Sequence, residues 1–264
     1  MTSVKQLRAD LVDEQESLDV VVRDLSDEQW YLPTASPGWT VFDQVSHLTY
    51  FDERAALALS DPEEFRRERD EVFSRAGLQN LDDITLKDLR TLSPHELLIR
   101  WRAARSSLDD AAGALDEDTR VDWYRPSMSA KSFLTARLME TWAHGTDATG
   151  ALGIARQPTD RLVHVVRLGV VTRPWSYRVR GEEPPPAAVS VELCGPNGDI
   201  WRVGPDDADE VVRGSAEEFC LVVTQRRHLD DTNLATGVLG RHWLLRAQAF
   251  AGAASLGPTP KGLS

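Results

Sequence analysis

Six histidines occur in the sequence, at 47, 95, 144, 164, 228 and 242, and one of them stands in a spacing that can do chemistry. In the run RLMETWAHGTD, residues 137–147, Glu140 precedes His144 by four positions. Residues four apart on a helix lie one above the other, so a carboxylate and an imidazole would face the same way. Such a pair can hold one side of a divalent cation. Asp147 extends the face and is a candidate to orient His144 through its second ring nitrogen, as metal-bound imidazoles require. His47 lies midway along another helical run, WTVFDQVSHLTYF, and would complete a His–Glu–His set if the two helices face each other in a bundle. Three protein ligands with open positions describe a catalytic rather than a structural metal site. The spacing leaves plainer readings open: Glu-x3-His is often a solvated pair, and a lone histidine at a helix boundary is often only hydrogen-bonded. The other four histidines read as structural.

The elements that must position these groups are helical. Val4, Leu7, Leu11, Leu18, Val21 and Leu25 recur at helical steps with charges between them, which predicts an amphipathic helix stopping near Ser26. The loop TASPGW, 34–39, holds the breakers Pro37 and Gly38. Thr40 is a candidate N-cap for a helix from Val41 to Leu59, with Asp43 where a capping box carries Glu or Gln. DPEEFRRERDEVFSRAG reads as a surface helix with Asp61 at its start and Gly77 at its end. Ser93, Pro94 and Glu96 open a helix with Leu97, Trp101, Ala104, Leu108 and Ala111 on one face, and a fourth long helix runs from about Ser129 to Gly150. Four long helices and one short inserted one suggest a bundle.

After Gly153 the pattern changes. Residues 160–172 predict one more helix, followed by the loop GEEPPP at 181–186. Val189, Val191 and Leu193 alternate with polar residues, and Asn197-Gly198 before Ile200–Val203 signals a hairpin. Ser215 with Glu218 predicts a capping box opening a buried helix, and a last helix is expected over 241–252. The fold expected is mainly α, a helical bundle over 1–155 followed by a small α+β domain over 156–264.

Net charge is −12, and all of it belongs to the first region: residues 1–155 hold 29 acids and 17 bases, and the rest hold 13 of each. An acidic bundle counts against nucleic-acid binding, which needs a basic face. Within it Glu140, Asp43 and Asp147 are acids expected to face a cation, among many that only solvate helix surfaces. No stretch approaches the ~18 apolar residues of a membrane span, and MTSVKQLRAD lacks the apolar core of a secretory signal, so a cytoplasmic protein is expected. Cys194 and Cys220 form no CxxC pair and read as small buried hydrophobes.

The stretch PGWTVFDQVSH, 37–47, followed about ninety residues later by a Glu-x3-His helix, resembles the DinB superfamily, and most closely its mycothiol-dependent maleylpyruvate isomerase branch. GSAEEFCLVVTQRRH, continuing to DDTNLATG, resembles the C-terminal domain of that branch. The resemblance implies a DinB-like four-helix bundle and a divalent metal, usually zinc, on His47, Glu140 and His144. It also implies a low-molecular-weight thiol such as mycothiol as cosubstrate, with transferase or isomerase chemistry on a small molecule. Arg137, one turn before Glu140, and Arg54, two turns after His47, are candidate catalytic residues, and either reads equally as a surface ion-pair partner. Trp39 and Trp142 are candidate walls of the cofactor pocket. Two other functions stay open: metal-activated water in a hydrolase, lyase or cyclase, and a non-catalytic metal- or ligand-binding protein. No exposed apolar stripe identifies an interface, which leaves monomer and homodimer both open.

Overall fold

The structure is a computed structural model that describes residues 2–75, 81–124 and 127–262. It divides into two compact units, residues 1–155 and 156–264. It is mainly helical, and among the described residues no helix is long and apolar enough to cross a membrane.

The first unit begins with α1, Val4–Val22, and the single turn α2, Asp27–Trp30. The site-bearing helix α3, Val41–Ser60, is followed by α4, Pro62–Arg75, and α5, Leu81–Leu86. Next come α6, Pro94–Ala112, a two-residue ladder of β1, Arg120–Val121, with β2, Met128–Ser129, and α7, Ala130–Ala151. The long helices form a ring in which α3 packs on α6 and α7, and α1 packs on α7 and α6. Leu18, Val45, Leu48, Leu97 and Trp101 meet at its centre, all at most 1% exposed. Apolar burial of this kind contributes roughly 1.5–3 kcal/mol per large side chain. The helix starts are set locally. Thr40 Oγ1 accepts from the Asp43 backbone N–H while Asp43 accepts back from the Thr40 N–H, a capping box built with aspartate. Ser93 and Glu96 do the same for α6. The expected end of the charged helix α4 at Gly77 lies outside the described residues.

The second unit contains α8, Leu162–Val171, and α9, Arg173–Arg178. A three-stranded sheet follows, of β3, Val189–Cys194, β4, Ile200–Val203, and β5, Glu210–Ser215. The unit closes with α10, Ala216–Val223, and α11, Val238–Leu244. The hairpin β3–β4 turns at Gly198, whose φ of +86° is the left-handed conformation the Asn-Gly signal anticipates. Strand β5 lies parallel to β3, pairing Val191 with Val212, and gives the order β4-β3-β5. The sequence reading passed over β5 because its alternation is short and runs directly into the N-cap Ser215. Two expectations are corrected. Glu218 does not close the capping box; its carboxylate instead accepts from Asn233. The last helix ends at Leu244, well before 252.

Candidate functional site

Helices α3 and α7 are adjacent, and each presents polar groups to the other. On α3 the buried stripe runs through Gln44, Leu48 and Asp52, with His47 at its edge. Helix α7 is buried almost all round, including Arg137, His144 and Asp147, so its polar groups must find partners inside the bundle. They form two separate clusters.

In the first, His47 Nε2 lies 3.6 Å from Glu140 Oε2, and His144 Nε2 lies 3.1 Å from the same oxygen. The two imidazole rings are 4.2 Å apart, centroid to centroid. One ligand atom from each of the three residues lies within 4.8 Å of the others, and this is the one such group of histidine, cysteine and acid side chains among the described residues. Four-coordinate zinc holds its ligands at about 2.0–2.1 Å, which places neighbouring ligand atoms roughly 3.3–3.4 Å apart. The observed separations bracket that value, and the donor set is one carboxylate and two imidazoles, so the residues fit a divalent cation. Burial pushes the Glu140 carboxyl up. The hydrogen bonds and charges of His144 and His47 more than offset this and hold it well below the usual carboxylate range. The buried Nδ1 of His47 has no hydrogen-bond partner among the described residues.

Around this group the walls are aromatic. Gly38, with φ +78°, turns the loop before α3 so that Trp39 stacks on His144, centroids 5.8 Å apart and planes 18° apart. Trp39 also lies 5.4 Å from the His47 ring, and Phe51 lies 4.5 Å from it. Trp142 is buried on α7, two residues from His144 and hence on another side of the helix.

The second ring nitrogen of His144 meets Gln44, not Asp147: Nδ1 is 2.5 Å from Gln44 Oε1. Asp147 instead accepts from Ser36 Oγ at 3.1 Å, and Asp43 is taken up by its capping box and by Arg90 at 2.7 Å, so neither joins the cluster. Sequence reasoning missed Gln44. The available signal was a large amide on the apolar stripe of α3, one turn before His47.

The second cluster lies about two turns along. Arg137 directs Nε and Nη2 at Asp52 Oδ1, at 3.1 and 2.8 Å, and Gln15 Nε2 donates to Asp52 Oδ2 at 3.1 Å. Asp52 is fully buried and Arg137 is 3% exposed, so this is an interior ion pair rather than a surface one. Arg54 pairs with Glu68 of α4 and lies over the Tyr50 ring at 5.6 Å. Neither arginine is brought onto the His–Glu–His group.

Comparison with known proteins gives the chain its relatives. The family model of the mycothiol maleylpyruvate isomerase N-terminal domain matches residues 11–149. Two proteins of Mycobacterium tuberculosis, the uncharacterized protein MT0041 of strain CDC 1551 / Oshkosh and the uncharacterized protein Rv0036c of strain ATCC 25618 / H37Rv, are each 42% identical over 247 residues. These alignments span 92% of this chain and 95% of theirs. Crystal structures of the mycothiol-dependent maleylpyruvate isomerase and of a histidine-to-alanine mutant of it align with TM-scores of 0.59 and 0.61. They share 15% identity and cover 98% of this chain and 99% of those chains, a likeness of fold.

Proposed function

The chain belongs to the family defined by the mycothiol maleylpyruvate isomerase N-terminal domain, and on that premise we propose that it is a thiol-dependent enzyme. It acts on a small molecule, by isomerisation or thiol transfer, at a divalent-metal centre held by His47, Glu140 and His144. The observation that carries the reading is the approach of both histidine Nε2 atoms to one oxygen of Glu140, at 3.6 and 3.1 Å.

A divalent cation in such a site favours the thiolate of a bound thiol, whose free pKa is about 8.5, at neutral pH. The chain's own residues set the conditions for this. Glu140 is the single anionic ligand and the imidazoles are neutral donors, so the protein cancels only one of the cation's two charges. Trp39 and Phe51 cover the imidazole faces and limit water there, which strengthens every charge interaction inside. Two outcomes share this start. In an isomerase, the thiolate adds to a double bond conjugated to a carbonyl, the new single bond rotates, and the same thiolate leaves as the double bond reforms. In a transferase, the carbon–sulfur bond stays and the adduct takes up a proton.

The experiment is metal analysis of the freshly purified protein, with thermal-shift titrations of divalent ions and of mycothiol. Stoichiometric metal is expected, lost in His47→Ala and His144→Ala, with a further shift on adding the thiol. A metal-free protein whose stability responds to neither overturns the reading.

A further inference from the structure

We propose that Gln44 is a positioning residue: it pins the proton of His144 on Nδ1, so that Nε2 is the nitrogen presented to the Glu140 side of the site. Its consequence for metal binding rests on the function proposed above, but its geometry does not.

The argument starts at a backbone atom. The Trp39 carbonyl accepts the Thr34 N–H at 2.8 Å and lies 3.0 Å from Thr34 Oγ1, whose one hydrogen is directed to it. The Thr34 oxygen then has only lone pairs to offer. The Gln44 atom 2.8 Å from it must donate, and is therefore the amide nitrogen Nε2. That leaves the amide carbonyl Oε1 facing His144 Nδ1, and a carbonyl cannot donate, so Nδ1 carries the hydrogen. Each assignment follows from the one before it. Turning the carboxamide round would require the Thr34 hydroxyl to take its hydrogen away from the Trp39 carbonyl.

Burial makes the constraint strong. Gln44 is 1% exposed, and an unmatched polar contact at such a position costs the full desolvation of the groups involved. Glu140, on the other side of the ring, has a side chain 22% exposed and meets Nε2 through Oε2 at 3.1 Å, so a cation that takes the place of the proton between them would find both donors there. His47 has nothing equivalent among the described residues, where its buried Nδ1 meets no partner. The two imidazoles are thus prepared unequally. His144 is set before any ligand arrives, whereas His47 is held by ring contacts with Trp39, Phe51 and His144.

Two variants of the full chain separate positioning from packing. Gln44→Leu keeps the approximate size and removes the acceptor, while Gln44→Glu restores one. Removing an outer partner of a metal-bound histidine typically weakens binding about 10–100-fold. Zn2+ affinity, measured by competition with a chromogenic chelator, is expected to fall by about that factor in Gln44→Leu and to return to within a few-fold of wild type in Gln44→Glu. Independently, proton–nitrogen correlation spectra of the metal-free protein should show a slowly exchanging Nδ1–H of His144, assigned by its loss in His144→Asn. That signal should be present in the wild type and Gln44→Glu, and absent in Gln44→Leu. A wild-type His144 without Nδ1–H overturns the proposal even if Gln44→Leu fails to fold. So does a Gln44→Leu protein with the wild-type signal and zinc affinity. If the spectra behave as expected while no variant or wild type binds zinc, the metal reading fails and the role of Gln44 stands.

Discussion

The two polar clusters between α3 and α7 are built from similar materials and are chemically opposite. Around Asp52 the accounts close: one carboxylate, one guanidinium and one amide satisfy each other, and the pair is shut away from solvent. Around Glu140 they do not. A carboxylate and two imidazole nitrogens, each able to ligate a cation, converge there, and each of the three side chains keeps between 9% and 22% exposure. A closed buried pair holds helices in register; an open one invites a cation. The contrast separates the two clusters better than the residue types do, since both contain an acid and a base from facing helices.

The largest effect should come from opening the closed cluster. Asp52→Ala leaves the Arg137 guanidinium buried without its carboxylate, and breaking a buried pair in this way costs about 3–5 kcal/mol. Chemical denaturation of the variant should show that loss. The double variant Asp52→Leu with Arg137→Met replaces the pair by apolar volume and should recover much of it, as such replacements often do. It also tests Arg137 as a catalytic group. Activity that returns with stability makes its role structural, and activity that stays absent in a stable protein would break the comparison.

A second closed cluster, nearer the surface, sharpens it. Asp19, with a side chain 5% exposed, accepts from Arg102 at 2.8 and 2.6 Å and from Arg105 at 3.1 Å. Burial pushes its carboxyl up, but the Arg102 hydrogen bond and both arginine charges hold it below the usual range. A lowered folded-state pKa gives stability that is present above the unfolded value, near 3.9, and is lost as pH falls through the folded one. Asp19→Asn should therefore lose about 1.5–3 kcal/mol at neutral pH, in line with hydrogen bonds to charged groups. Its stability should also fall less steeply than the wild type's below pH ~4 in acid titrations of unfolding.

The open cluster predicts a smaller cost. Glu140→Gln keeps the volume and removes the charge that the two histidines hold ionised, so the metal-free protein should lose part of that stabilisation at neutral pH, less than Asp52→Ala loses, while bound metal disappears from elemental analysis. A loss as large as that of Asp52→Ala would make Glu140 structural and erase the distinction.

Much of this was legible in the sequence because it is local. Helix starts at Thr40, Ser93 and Ser129, and the spacing of Glu140 and His144, follow from capping and a 3.6-residue period. What crosses between elements was not. Helical period places Asp147 on the face of His144, and only packing shows that the loop residue Ser36 engages it while Gln44 of α3 takes the imidazole. The pairing of Asp52 with Arg137 spans 85 positions and depends on the relative rotation of two helices, which no single-helix pattern specifies. Strand β5 failed for the same reason: its identity lies in its parallel partner β3 rather than in its own short alternation.

The smallest effect belongs to Arg54. It stands two turns past His47, which makes it a candidate catalytic residue in the sequence, but its side chain pairs with Glu68 of α4 and covers the Tyr50 ring. Both partners are partly exposed, at 24% and 35%, and pairs in that setting contribute about 0–1 kcal/mol. Arg54→Met retains the hydrocarbon stem over Tyr50 and gives up only the charge, so unfolding should move by less than 1 kcal/mol. Metal content should not move at all. If KM for an anionic substrate rises tenfold or more in this variant while stability and metal content stay put, Arg54 leaves its pair to meet substrate. The boundary between open and closed clusters would then have to be drawn one turn further along α3.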